Sequence, residues 1–181
     1  MSELSFQAVI FDMDGVIVDS EPRHEQAFEE VWAAIGFGET HGIHFPDYYG
    51  TSDEKVWRDF IAKHQPKESY EELFSWRQRA FLEIVKREEP IFGPIPDLVE
   101  DLAERFPIAL ASGSLHPVID AVLGMKGLRR HFQAVVSSSD VARGKPEPDI
   151  FLHTAQKIGI SPEQCVVIED SVHGVTAAKA A

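Results

Sequence analysis

Phe6-Gln7-Ala8-Val9-Ile10-Phe11-Asp12-Met13-Asp14-Gly15 is an apolar, β-forming run that stops on two carboxylates and a glycine. Such a run reads as a buried strand with charged groups at its C-terminal end. After Ser20 the pattern changes. Phe28, Val31, Trp32 and Ile35 fall at i, i+3, i+4 and i+7, ahead of Gly36, and predict a helix with a glycine stop. Thr51-Ser52-Asp53-Glu54 has capping-box spacing and predicts a second helix through Val56, Phe60 and Ile61. A third is expected from Glu68 to Arg87, with Leu73, Phe81, Ile84 and Val85 on its apolar side. A proline-rich connector, Pro90 to Pro96, follows. Residues 20–89 are therefore expected to form an inserted helical domain hinged near 19–21 and 89–94. Residues 1–19 and 90–181 would form the core domain.

Beyond the connector, strand and helix alternate. Helices are expected at Asp97–Arg105, Pro117–Leu123, Asp149–Ile158 and His173–Ala181, and strands at Ile108–Ala111, Ala134–Ser137 and Cys165–Ile168. This alternation implies an α/β, Rossmann-like parallel sheet with helices on both faces.

The composition, 44% hydrophobic and 26% charged over 181 residues, is that of an ordinary globular protein with room for one core and a modest insertion. A net charge of −13 argues against nucleic acid and against an anionic membrane surface as partners. It also means that an anionic substrate needs a local metal or well-placed Lys and Arg. One cysteine, Cys165, excludes an internal disulfide and fits a reducing compartment. The N-terminus has no signal-peptide pattern, and no apolar stretch reaches membrane-spanning length. The expected location is cytoplasmic.

Polar groups gather where the strands end: Asp12 and Asp14, Ser112, Lys145, and Glu169 with Asp170. Ligands of open parallel sheets bind at that edge. Two carboxylate pairs there could share one cation, and oxygen ligands suit Mg²⁺. A bound Mg²⁺ would neutralise phosphate and let a carboxylate attack it. Taken alone, each group also reads as a turn or cap residue. Four groups in order, each at a strand end, point to a shared site.

Four segments carry a resemblance. Phe11-Asp12-Met13-Asp14-Gly15-Val16-Ile17-Val18-Asp19-Ser20 resembles the first motif of the haloacid dehalogenase-like superfamily. Ala109-Leu110-Ala111-Ser112-Gly113-Ser114 resembles the second, Gly144-Lys145-Pro146-Glu147-Pro148-Asp149 the third, and Val167-Ile168-Glu169-Asp170-Ser171 the fourth. The insertion is similar to the helical cap of the subgroup containing β-phosphoglucomutase and the phosphoglycolate and sugar-phosphate phosphatases. The resemblance implies that Asp12 attacks phosphorus and becomes an aspartyl phosphate. It implies that Asp14 protonates the leaving oxygen and later takes a proton from water, help worth about 10²–10⁴-fold in rate. Ser112 and the Gly113 N–H would hold a phosphoryl oxygen, and Lys145 would offset charge on Asp12 and the phosphate. Asp12, the Asp14 carbonyl, Asp170 and Glu169, directly or through water, would hold Mg²⁺. A helical cap closing over the strand ends is implied as well. Dehalogenases of the superfamily lack the second Asp, so Asp14 points to a phosphate enzyme.

Hydrolysis of a small phosphate ester, a sugar phosphate or similar metabolite, is the first expectation, and β-phosphoglucomutase-like isomerisation the second. His24 matches a hinge histidine of the mutase-like subgroup. The turn Tyr49-Gly50-Thr51-Ser52-Asp53-Glu54 aligns with a mutase turn whose phosphate-binding arginine is here Asp53, which repels a second phosphate. Arg58, Arg77 or Arg79 could compensate. His24, Thr51, Ser52, Asp53 and Arg77 are thus the candidate substrate residues of the inserted domain. An idle metal- or phosphate-binding protein on the same fold is the alternative of another class. Cys165 reads as a core residue, Trp32 and Trp57 as packing, and the other histidines show no metal-ligand spacing.

The final helix runs through Thr176-Ala177-Ala178-Lys179-Ala180-Ala181 without a capping residue. The resembling family continues with a glycine, another strand and a closing helix. Four strands in the order 3-2-1-4 are therefore expected, with Cys165–Ile168 as an apolar edge open to pairing. The expectation is a monomer or weak self-association through that strand, with either a less stable protein or a chain lacking its natural C-terminus.

Overall fold

The computed structural model describes residues 6–48 and 53–181. The chain divides into two compact units, residues 1–20 with 89–181 and residues 21–88. In the first unit, β1 (Ala8–Phe11), β2 (Ile108–Ser112), β3 (Phe132–Ser137) and β4 (Cys165–Ile168) form one sheet in the order β3-β2-β1-β4, with parallel pairing throughout. All residues of β1 and β2 are buried. These inner strands are covered on both faces, so they read as continuous apolar runs.

Among the described residues, the α-helices of this unit are α4 (Ile95–Ala103), α5 (His116–Gly124), α6 (Asp149–Ile158) and α7 (Val172–Ala180), numbered after those of the other unit. Ile10, Ala109, Ala111, Ala134 and Val136 of the strands pack with Ile150 and Phe151 of α6 and Ala177 of α7 in one cluster. The alanines let the helices approach the sheet closely. Helix α4 starts two residues ahead of the expected start, because Pro96 sits at its first turn rather than before it. Strand β3 likewise begins at Phe132, whose ring meets Phe11 edge-on at 6.0 Å. Strand β4 is the expected edge: it bonds to β1 on one side alone among the described residues and is only partly covered, with Val166 38% exposed. Cys165, expected in the core, is corrected to a partly covered residue of that edge.

The second unit holds α1 (Glu21–Ala34), α2 (Asp53–His64) and α3 (Tyr70–Glu88). Its core joins Phe28, Val31 and Trp32 of α1 to Val56, Trp57 and Phe60 of α2 and Leu73 of α3. Trp32 and Trp57 are fully buried, as packing residues. Ser69 and Glu72 exchange bonds at the start of α3, where Ser69 Oγ accepts from the Glu72 N–H and the Glu72 carboxylate accepts from Ser69. This capping box sets the helix start just beyond Ser69, later than the Glu68 expected. No helix among the described residues is long and apolar enough to cross a membrane.

Candidate active site

The site in the first unit grows from the end of β1. The Asp12 N–H donates to the Ile168 carbonyl at 2.9 Å, so Asp12 is still held in the sheet ladder. The chain then coils tightly. The Met13 carbonyl accepts from the N–H groups of Val16, Ile17 and Val18, and Met13, Ile17 and Val18 are buried beneath the loop. This apolar knot leaves Asp12 and Asp14 as the polar groups at its rim. Gly15, at φ +76°, completes the turn. A Cβ on Gly15 would overlap the Asp170 carboxylate, so the glycine makes room for that group as well as for the turn.

Asp12 is 5% exposed. Lys145 donates to its Oδ1 at 2.6 Å and to Glu169 Oε2 at 2.6 Å. The lysine thus bridges carboxylates from the ends of β1 and β4. The other Glu169 oxygen accepts from the Ser171 N–H at 3.1 Å and its hydroxyl at 2.8 Å. Ser171 also caps α7 by accepting from the Gly174 N–H at 2.9 Å. The glycine at 174 leaves room for the Glu169 carboxyl group, which a Cβ there would displace. Asp12, Glu169 and Asp170 each offer a carboxylate oxygen within 4.8 Å of the others.

Electrostatics follow from this crowding. Burial pushes the Asp12 carboxyl up to about 7 against the opposing pull of Lys145, and Glu169 and Asp14 raise it further. Burial pulls the Lys145 ammonium down, but Asp12 and Glu169 outweigh it and hold the lysine above its ordinary value. Burial also raises Asp170, with Glu169 adding to the effect. One ammonium therefore faces three carboxylates. A hard divalent cation suits that donor set, because oxygen ligands and surplus negative charge are what such an ion requires. Asp12 and Asp170 would hold it, with Glu169 the weaker contributor because both of its oxygens already accept hydrogen bonds.

Asp14 meets the end of β2. Ser114 Oγ donates to Asp14 Oδ2 at 2.8 Å, and Ser112 Oγ lies 3.5 Å from the same oxygen. Ser112 is buried and its Oγ accepts from the Ser114 N–H at 3.0 Å, while Gly113 is exposed between them. Six expected residues of this unit, Asp12, Asp14, Ser112, Lys145, Glu169 and Asp170, therefore gather at adjacent strand ends. The sequence assigns no role to Ser114 and Ser171, which lie within the second and fourth motifs, or to Gly174. Ser171 carries a readable signal as the serine just before a helix, whereas the role of Gly174 depends on a side chain five residues away.

The candidates of the inserted segment lie in the second unit. Arg77 is 1% exposed. Its Nη1 pairs with Asp53 Oδ2 at 2.9 Å, its Nη2 contacts His24 Nδ1, and its guanidinium lies over Phe28 and Phe81. His24 stacks on Phe81 with ring centroids 4.0 Å apart. Arg58 pairs with Glu54 on the surface of α2. Thr51 and Ser52 lie outside the described residues.

A family model described as haloacid dehalogenase-like hydrolase matches residues 6–181. The chain is 35% identical over 180 residues to the fructose-1-phosphate phosphatase YqaB of Escherichia coli K12, covering 97% of this chain and 93% of that one. It is 33% identical over 177 residues to hexitol phosphatase B of the same organism, covering 96% and 79%. Among solved structures, CbbY of Rhodobacter sphaeroides in complex with xylulose-1,5-bisphosphate superimposes with a TM-score of 0.78 over 97% of this chain and 82% of that one. At 24% identity, that likeness speaks for the fold.

Proposed function

The chain belongs to the haloacid dehalogenase-like hydrolase family, and on that premise we propose that it is a Mg²⁺-dependent phosphatase of small phosphorylated sugars or sugar alcohols, working through an aspartyl phosphate on Asp12. The carrying observation is the triangle of Asp12, Lys145 and Glu169 at the ends of β1 and β4, with Asp170 in reach. Residues 1–19 and 90–181 are the catalytic core of this proposal and residues 20–89 its substrate-selecting cap. The names of the two bacterial relatives, a fructose-1-phosphate phosphatase and a hexitol phosphatase, support a six-carbon phosphate ester.

Asp12 attacks phosphorus, and the bond to the leaving oxygen breaks with its electron pair going to that oxygen. Asp14 gives the oxygen its proton. Water then attacks phosphorus and loses a proton to Asp14, which returns Asp12 as a carboxylate and releases inorganic phosphate. Ser112 and the Gly113 N–H hold a phosphoryl oxygen, and Lys145 offsets negative charge. Bound Mg²⁺ supplies charge neutralisation at the phosphate.

A mutase needs a second phosphate seat. The ion pair of Asp53 with buried Arg77 supports hydrolysis, because the guanidinium there already serves an aspartate. The decisive experiment measures inorganic phosphate released from fructose 1-phosphate, hexitol phosphates and p-nitrophenyl phosphate, with Mg²⁺ and with excess chelator. Release from at least one sugar ester with Mg²⁺, and its loss in chelator and in Asp12→Asn, is expected. Asp12→Asn turnover within about tenfold of the parent would rule out covalent catalysis, since losing a nucleophile costs far more. No turnover on any ester would leave a binding protein, and isomerisation without phosphate release would indicate the mutase.

A further inference from the structure

We propose that Ser114 is a positioning residue for Asp14, holding its carboxyl group in the one orientation that serves proton transfer to the leaving oxygen. The inference rests on the reading of Asp14 as the acid, and goes beyond it by asking what aims that acid. An aspartate side chain turns about two bonds, so its proton points usefully only if something fixes it. Misplacement by about 1 Å costs on the order of a hundredfold in rate.

Ser114 is well anchored for that task. Its hydroxyl donates to Asp14 Oδ2 at 2.8 Å. Its N–H donates to Ser112 Oγ at 3.0 Å, and its carbonyl accepts from Ser137 Oγ at 2.8 Å. Both main-chain groups are thus tied, one to the end of β2 and the other to the end of β3. Ser137 is itself fixed. Its N–H donates to Asp140 Oδ2 at 2.9 Å, and its Oγ accepts from the Ser139 N–H at 3.2 Å. His116 Nε2 lies 3.0 Å from each Asp140 oxygen and closes the outer end of the chain of bonds. Ser112, by contrast, lies 3.5 Å from Asp14 and has its oxygen engaged by Ser114.

The chemistry fits this arrangement. A carboxylic acid carries its proton on one oxygen and accepts on the other. With the serine hydroxyl donating to Oδ2, the transferable proton stands on Oδ1. When the bond between phosphorus and the leaving oxygen breaks, the electron pair stays on that oxygen, which takes the Oδ1 proton. The later attack by water returns a proton to Asp14 while Ser114 keeps its bond. The hydroxyl exchanges no atom with substrate.

A merely structural serine and an acid-positioning serine differ in leaving-group dependence. Alkoxide needs the proton, whereas p-nitrophenolate departs without it. The test compares Ser114→Ala, Ser114→Thr, Ser114→Cys and Asp14→Asn on a sugar phosphate and on p-nitrophenyl phosphate. Ser114→Ala should lower kcat on the sugar ester at least about tenfold but on p-nitrophenyl phosphate under about threefold, with KM unchanged, as expected when only acid help is weakened. Ser114→Thr should restore turnover, and Ser114→Cys, similar in size but a weaker donor, should fall between. Cys also serves if the alanine variant does not fold. Equal losses on both esters in Ser114→Ala, with discrimination intact in Asp14→Asn, would overturn the role of Ser114 alone. Absence of discrimination in Asp14→Asn would overturn the reading of Asp14 and the proposal with it.

Discussion

Asp12 shows how burial and function pull against each other within one residue. Its carboxyl group titrates near pH 7 because it is buried, despite a lysine at hydrogen-bond distance. A divalent cation binds the ionised form, so binding expels the proton. Apparent Mg²⁺ affinity should therefore be about tenfold weaker at pH 6 than at pH 8, as a group with a midpoint near 7 requires. Calorimetric titration at the two pH values measures it, and equal affinities would show that Asp12 does not ligate the ion. Stability follows the opposite sign. The raised group holds a proton that the unfolded chain has released, so its contribution is present below pH 4, falls as pH rises, and is gone above about 7. The identities of these carboxylates were legible because each stands where an apolar run stops. The resemblance already set Lys145 beside Asp12, but its second bond, to Glu169, was not legible, since 24 residues separate those partners. The glycine at 174 was also silent, because its role is to lack the atom that would collide with Glu169.

Among the elements, periodicity located the helices and strands well, and local hydrogen bonding set their ends. The capping box at Ser69 and Glu72 and that at Ser137 and Asp140 have a signature visible in sequence, serine followed three residues later by a carboxylate. Reading it would have corrected the start of α3. The burial of Arg77 was not legible in the sequence for another reason. Nothing local distinguishes a buried arginine on a helix from the exposed ones beside it. Its partners lie 24 and 53 residues away, at Asp53 and His24. Replacing it with alanine removes a cation lying over two aromatic rings and leaves Asp53 without its buried counter-charge. Asp53 keeps about a third of its exposure, so the penalty falls below that of a wholly buried pair. Arg77→Ala should cost about 2–3 kcal/mol and Arg77→Met less, because the thioether refills the space. Urea midpoints would check this, and a loss under about 0.5 kcal/mol would mean that the pair contributes little.

At the scale of the whole molecule, the net charge of −13 opposes the approach of a phosphate dianion. The candidate site must overcome this field locally, with Lys145 and a bound cation. Salt screens long-range repulsion over about 10 Å at 0.1 M while affecting close pairs much less. At fixed saturating Mg²⁺, kcat/KM for a sugar phosphate should therefore rise with sodium chloride from low ionic strength, where most charged enzyme–ligand pairs would show a fall. Stopped-time phosphate assays across a salt series would measure the slope, and a decline would mean that a positive surface, not visible in the total charge, guides the substrate.

The Asp12 N–H to Ile168 carbonyl bond also has a dynamic consequence. It makes Asp12, the proposed nucleophile, the last rung of the β1–β4 ladder, so its amide hydrogen exchanges with deuterated solvent only when that rung opens. The residues directly after Ile168 are Glu169 and Asp170, so a fluctuation that frees the rung also unseats two further carboxylates. Loss of the assembled centre and exposure of a single amide thus become one event. The exchange rate of the Asp12 amide would report, without any substrate, how often the molecule is out of service.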